Sequence, residues 1–480
     1  MRDPQEILAR LKELREADAP THGGRVLSYV YDSGLPELDR LAANAMALVQ
    51  QVNGLDPTAF TSVAVMEREV IGFARDLLGG DKNVVGTMTS GGTESCLLAV
   101  KTARSNYLGA GTPKIIAPTT VHAAFHKAAE YFGLELELIP VEADGQVKAS
   151  AIIEKMGPDT ALVVLSAPCY PYAAMDPVAD VAGAAAAQGI DCHVDACIGG
   201  WILPFWQGLP DWDLRVPGVT SLAADLHKYG YAPKGTSVLL TRGRDRQRAQ
   251  YFATTRWPGY PVVNSTLLGS KSAAPLAAAW AIINALGAPG FAALADSCRR
   301  STDSLLAHLD SIDGLRVLGK PVGPLFAVAQ DDGVPVGRRV DPHRWADKLR
   351  THGWYAQLQP AFRQLDGSWM PRTTHVTITP ATEPGLTGLS EAMVKAADEV
   401  RGEPGVDPGE VLAALGGGAL PELDSDTAQG LLAQIGLADG SAGLPEAMAP
   451  VMALVEALPR EFSGRLLIEL MARMVEPRDP

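Results

Sequence analysis

No stretch of about 18 uninterrupted apolar residues, the length a membrane-spanning helix needs, occurs in this 480-residue chain. The opening segment, MRDPQEILARLKELREAD, is charged and helix-like and lacks the apolar centre of a signal peptide. Basic clusters are missing too. With 41 basic against 55 acidic side chains the net charge is −14, which disfavours nonspecific contact with nucleic acid or an anionic membrane. Cysteine is scarce: five residues (96, 169, 192, 197 and 298), odd in number, with no Cys-x-x-Cys pair. That count suits a reducing cytoplasm and argues against a disulfide framework. The absences together predict a cytoplasmic globular chain with no membrane span, long enough for two or three domains.

What is present begins with helical spacing. Ile7, Leu11 and Leu14 form one apolar stripe, Leu38, Leu41, Ala45, Leu48 and Val52 a second, and Met66, Val70, Phe73 and Leu77 a third that stops at Gly79-Gly80. The texture then changes. Short apolar runs at 84–88, 114–117, 136–140, 161–166, 190–195, 219–223 and 237–241 alternate with Ala-rich helical stretches. Fully apolar strands separated by helices predict a mainly parallel seven-stranded sheet covered on both faces, an α/β fold whose site lies at the carboxyl ends of its strands. The expected organisation is a helical segment over 1–60, a large α/β domain over 61–286 and a smaller α+β domain over 287–400 with strands at 315–318 and 375–378. Residues 401–480 complete it as a linker (RGEPGVDPGE, 401–410) and a helical extension, with a GGGALPELDSD loop at 416–426 and helices over 447–458 and 462–475.

Several strand ends carry reactive residues. TMTSGGTESCLLAV (87–100) follows a strand and opens a helix: Gly91-Gly92 lets backbone approach a ligand, and Thr93 begins a helix N-terminus suited to phosphate. The same stretch also reads as an ordinary glycine turn with a good cap. His122 follows the 114–117 run, with His126 one helical turn on; a metal pair is conceivable there, and so is a simple helix start. Asp195 closes the strand in GIDCHVDACIGG (189–200), where a carboxylate is costly without a partner. Cys192, His193 and Cys197 sit close by, but their spacing and the alternation of a strand argue against zinc, so no metal is expected. Lys228 and Lys234 stand six residues apart in ADLHKYGYAPKG (224–235). A phosphate cradle, a flat ring, a buried aspartate and a lysine at strand ends of one domain make the set a pyridoxal phosphate site needs: amine for the aldehyde, carboxylate for the pyridine nitrogen, imidazole for stacking, amides for the phosphate.

On these residues the chain resembles the fold-type I pyridoxal-phosphate enzymes of the group II decarboxylase superfamily, and within it the sphingosine-1-phosphate lyases. The similar segments are TSGGTES (89–95), TTVHAAFHKAA (119–129), SAPCYPYAAMDPV (166–178), HVDACIGGWILPF (193–205) and SLAADLHKYGYAPKGTSVLL (221–240). The likeness covers about 20–290 well and 290–400 loosely. It implies Lys228 as the Schiff-base lysine, Asp195 as partner of the pyridine nitrogen, His122 as the stacking ring, and Gly92, Thr93 and His227 as holders of the cofactor phosphate. TLLGS (266–270) resembles the segment whose Gly-Ser pair, here Gly269 and Ser270, reaches that phosphate from the neighbouring subunit, which implies a homodimer with shared sites; the family's next residue, arginine, is Lys271. Tyr31 and Lys234 match positions on the substrate side.

The resemblance implies retro-aldol cleavage of an amino alcohol to an aldehyde and an amine, with amino-acid decarboxylation as the alternative. It breaks at NGLDP (53–57), where Asp56 stands in the place of a histidine that helps bind the substrate phosphate in the lyases. Leu27-Ser28-Tyr29 is bulkier than the family's residues there, and His126 replaces an acidic one. A carboxylate repels a phosphate dianion, so the expected substrate has a smaller or less anionic head group.

Overall fold

The computed structural model describes residues 2–414, 423–434 and 447–477. All seven apolar runs are strands of one sheet: β1 (Val84–Thr89), β2 (Lys114–Pro118), β3 (Glu135–Ile139), β4 (Thr160–Ser166), β5 (Asp191–Asp195), β6 (Ser221–Ala224) and β7 (Ser237–Arg242). Their order is β1-β7-β6-β5-β4-β2-β3, with β7 antiparallel to both neighbours and the rest parallel. Successive side chains leave a strand on opposite faces. Leu162 and Val164 of β4 accordingly join one apolar core, while Val163 and Leu165 join another across the sheet. Burial on both faces is why these strands are continuous apolar runs rather than alternating ones.

The three N-terminal helices form: α1 (Pro4–Arg15), α2 (Pro36–Leu48) and α3 (Thr61–Leu77). The first differs from expectation in its packing. Ile7, Leu11 and Leu14 are 54–56% exposed, so no residue of this stripe is buried among the described residues. In α2 the residues that turn inward are Leu38 and Ala42 instead of Leu41 and Leu48.

A kinked helix, Ala274–Leu309, runs from the large domain into the small one and bends at Gly287 (φ 52°), two residues before Pro289. It is the one described helix long and apolar enough to cross a membrane, yet Ala277, Ala278, Ile282, Phe291 and Leu305 along it are buried in the protein core. The small domain holds a four-stranded antiparallel sheet ordered Leu315–Val317, Leu325–Gln330, Thr373–Thr377, Gln357–Gln359. The helices Pro342–Thr351 and Leu386–Val400 pack on it through Trp345, Leu349 and Met393.

Beyond residue 400 the chain is more folded than a linker and tail. Pro408–Ala414, Ser425–Gln434, Ala449–Ala457 and Arg460–Met474 are helices, with a core of Ala428, Leu432, Leu454, Leu458 and Leu466. The expected loop at 416–426 ends too late, because Ser425 already opens a helix capped by Asp424; its stretch 416–422 lies outside the described residues.

Candidate active site

The carboxyl ends of β1, β2, β4, β5 and β6 surround a cavity of about 510 Å³ whose wall includes Tyr31, Gly92, Thr93, His122, Asp195, His227, Lys228 and Lys234. Eight residues spread over two hundred positions are thus brought to one place.

Lys228 is presented by the chain after β6, which folds back on itself through Lys228 N–H to Asp225 O (3.2 Å) and Ala232 N–H to Leu226 O (3.0 Å). That turn requires glycine at 230, since a Cβ there would lie 2.5 Å from the Leu226 carbonyl oxygen. The Lys228 ammonium sits 3.0 Å from Asp225 Oδ2. Burial lowers the amine's pKa, but Asp225 first, then Tyr31, Cys197 and Asp195, outweigh it and raise it well above the ordinary lysine range. Asp225 is buried as well; burial raises its carboxyl, yet Lys228 and then His227 and Ser237 hold it well below the usual carboxylate range.

Asp195 ends β5 and faces the cavity, with Oδ1 accepting from the Cys197 N–H at 3.1 Å. His122 caps α5 (Ala123–Phe132), its Nδ1 accepting from the Ala124 N–H at 3.2 Å, while His126 is exposed on the next turn. Gly91 and Gly92 open α4 (Gly92–Asn106). A Cβ on Gly92 would stand 2.7 Å from Asp225 Oδ2 and 2.8 Å from Cys197 Sγ, so only glycine lets the helix start come this close to the lysine loop. His227 lies against the same turn, but both its nitrogens are engaged: Nδ1 accepts from the Thr236 N–H (3.3 Å) and Nε2 faces Asp225 Oδ2 (3.4 Å). Its place in the wall of the cavity beside Gly91 and Lys228 leaves its expected role toward the phosphate a proposal.

Tyr31 packs edge-on against Tyr229, ring centroids 5.1 Å apart, and burial pushes its phenol up to about 12, so it keeps its proton at neutral pH. Lys234 Nζ donates to Tyr29 O (3.1 Å) and His227 O (3.2 Å) and stands 4.9 Å from the Tyr31 ring centroid. Burial, then Lys228, lowers its pKa.

Asp56, Gly269 and Ser270 are not brought to this cavity within the chain. They line a separate one of about 1350 Å³, where Asn53 Nδ2 donates to Ser270 Oγ (3.3 Å) and the Gly54 N–H donates to Lys271 O (2.7 Å). The Asp56 carboxylate turns onto its own loop, accepting from the Thr58 N–H (3.0 Å) and Ala59 N–H (3.3 Å). Hydrogen bonds from the Thr58 side chain and backbone lower its pKa. His193 is fully buried, with Nδ1 2.8 Å from Ser221 Oγ, and burial lowers it to about 4. Among the described residues Cys96, Asp195 and Cys197 bring one donor atom each within 4.8 Å of one another. The Cys96 thiol, lowered most by a hydrogen bond with Cys197 but raised by burial, Asp195 and Asp225 together, stands at about 11.

Sequence reasoning passed over Asp225, Tyr170 and Gln357. Asp225 carried a signal, an acidic residue at a strand end three positions before the lysine. Tyr170 Oη donates to Gln357 Oε1 (2.7 Å) and its ring stacks on His375, a meeting of distant segments that no spacing announces.

The donor set suits pyridoxal phosphate on structural grounds. Gly91, Gly92 and Thr93 offer a helix start into which backbone amides open, Asp195 supplies a buried carboxylate, His122 a ring, and Lys228 the amine, all on one cavity wall. Comparison with known proteins agrees. A family model described as "Pyridoxal-dependent decarboxylase conserved domain" matches residues 30–311, and one described as "Pyridoxal-dependent enzyme, C-terminal putative HTH domain" matches 409–473. The chain is 34% identical over 383 residues to a sphingosine-1-phosphate lyase of Dictyostelium discoideum, covering 78% of this chain and 69% of that protein. To sphingosine-1-phosphate lyase 1 of Rattus norvegicus it is 34% identical over 381 residues, spanning 78% of this chain and 64% of that one. Among solved structures, a Burkholderia pseudomallei sphingosine-1-phosphate lyase superposes with a TM-score of 0.77 at 31% identity, covering 84% of this chain and 92% of that one. A Lactobacillus brevis glutamate decarboxylase, at 18% identity and TM-score 0.72 over 85% and 94% of the two chains, shares the fold. The chain belongs to the pyridoxal-dependent decarboxylase family, with its fold-type I architecture and its pyridoxal phosphate cofactor.

Proposed function

We propose that this protein is a carbon–carbon lyase of the sphingosine-1-phosphate lyase type, cleaving an amino alcohol to an aldehyde and an amine. The observation that carries the reading is that one cavity brings Tyr31 and Lys234 together with Lys228, Asp195 and His122 in its lining. Pyridoxal phosphate, when bound, supplies an electron sink for the carbanion left by bond cleavage. The residues do the rest. Lys228 would hold the cofactor through its amine, Asp195 would pair with the pyridine nitrogen and keep it protonated, and His122 would offer its ring for stacking. The amides at Gly92 and Thr93 would hold its phosphate at the helix start. On the substrate side Tyr31 keeps its proton and donates, while Lys234, its pKa lowered, is the group better placed to give up a proton and accept the one leaving the substrate hydroxyl.

The proposed active form is a homodimer in which the rim bearing Asp56, Gly269 and Ser270 completes the partner's site. Support comes from their common placement: these segments adjoin each other and, within one chain, lie outside the Lys228 cavity. A cytoplasmic location accords with five free, buried cysteines. The deciding experiment is a product assay with phosphorylated and unphosphorylated amino alcohols and with amino acids. An aldehyde is expected; carbon dioxide without aldehyde would replace the lyase by a decarboxylase.

A further inference from the structure

The family model over 409–473 refers to a helix-turn-helix, a fold that meets DNA through basic side chains on its recognition helix. Charge opposes that use here. Residues 409–473 contain nine Asp and Glu against three Arg and no Lys. Two of the three arginines are engaged within the protein: Arg473 with Glu469 and Ser425, Arg460 with the Arg363 carbonyl and the Phe362 ring.

The module instead meets the small domain at several points: the Asp347 carboxylate accepts from the Met448 N–H (2.8 Å) and the Ala449 N–H (2.9 Å), Arg460 reaches Arg363, and a buried carboxylate of the module itself enters the end of the small sheet. Glu456, 5% exposed, lies on helix Ala449–Ala457; its Oε1 accepts from the Ala361 N–H (2.8 Å) and Arg372 Nε (2.9 Å), and its Oε2 from Arg372 Nη2 (2.5 Å). Ala361 lies two residues past strand Gln357–Gln359, and Arg372 immediately precedes strand Thr373–Thr377. These strands pair with Gln359 opposite Thr373 and Gln357 opposite His375. Glu456 therefore closes the open end of the pair, about 10–13 Å along the strands from Gln357 and His375. Those two residues hold Tyr170, one by its hydroxyl and the other by stacking, and Gln359 Nε2 donates to Pro171 O (2.9 Å) in the same loop. Tyr170 and Gln357 both line the Lys228 cavity.

We infer that the C-terminal helical module is an internal brace for the cavity wall formed by Tyr170 and Gln357, not a reader of nucleic acid, and that Glu456 is a positioning residue acting through the paired strands. The inference rests on the cavity being the active site, but its test does not depend on which reaction occurs there.

Amide hydrogen exchange of the holoenzyme compares wild type with Glu456→Gln. Losing charge-assisted bonds to Glu456 should speed exchange of peptides covering 168–174 and 357–361 about tenfold while leaving the 225–231 peptide unchanged. Glu456→Met, in which Arg372 keeps Asp341 (3.5 Å) and the Val406 carbonyl (2.8 Å) as partners, guards against a folding failure and should loosen the same two peptides. Uniform acceleration, or none in those peptides in either variant, would overturn the brace. Retention of a DNA duplex by the wild type at about 50 mM salt, weakening steeply as salt is raised, would overturn the exclusion of nucleic acid.

Discussion

Asp225→Asn should change how fast the protein takes up its cofactor. Lys228 can attach an aldehyde only as a free amine, and Asp225, 3.0 Å away in a buried setting, keeps it protonated. At an effective dielectric near 20, a pair at that distance attracts by about 5 kcal/mol before desolvation is counted. Asparagine retains the shape and a hydrogen bond but not the charge. If only about a quarter of the attraction bears on the proton, near 1.4 kcal/mol, the neutral fraction of Lys228 rises about tenfold. Stripped protein mixed with pyridoxal phosphate at pH 7, quenched at intervals with borohydride and analysed for label on Lys228, should therefore load about tenfold faster in the variant. The acceleration of loading with pH should also level off at lower pH than in wild type.

Stability should move the other way. The depressed Asp225 carboxyl contributes stability above its unfolded pKa of about 3.9, lost only as pH falls through the lower folded value. The raised Lys228 amine contributes below about 10.4, lost as pH rises through the higher folded value. The pair thus stabilises the stripped protein throughout the neutral range, and the variant should melt earlier there. Loading at the wild-type rate with an unchanged pH profile would refute the reasoning, because it would mean that Asp225 does not hold the proton of Lys228.

Other substitutions probe the remaining assignments. Lys228→Ala should abolish the borohydride-stable label seen by mass spectrometry; a label of equal yield on another lysine would reassign the attachment. Asp195→Asn should retain cofactor and lose at least about tenfold in turnover, or ~1.4 kcal/mol, with a smaller loss placing the pyridine nitrogen elsewhere. Dilution in the ultracentrifuge should release cofactor as dimer gives way to monomer, and a fully active monomer would exclude a shared site. Asp56→His should improve turnover of a phosphorylated amino alcohol if Asp56 reaches the partner's cavity, and unchanged kinetics would leave Asp56 a loop cap.

The amino-acid sequence by itself determined the large sheet and the core of the site. Strands buried on both faces must be apolar throughout, so seven runs announced seven strands, and reactive residues at their ends stood out against that background. Gly92, His122, Asp195 and Lys228 were legible because each interrupts a local pattern that physical chemistry otherwise enforces. Tertiary structure decided what depends on distant partners. Nothing near Tyr170 predicts that Gln357 and His375 close on it, and nothing near Glu456 predicts Arg372, since the first contacts form only when the small domain packs on the large one and the second only when the C-terminal helices pack on the small domain. The stripe of α1 read as an apolar face, yet none of it is buried among the described residues, because periodicity reports that a face is apolar and not what covers it. For the same reason the acidic helices after residue 408 passed as a tail until their own small core, and the carboxylate that anchors it, were seen together.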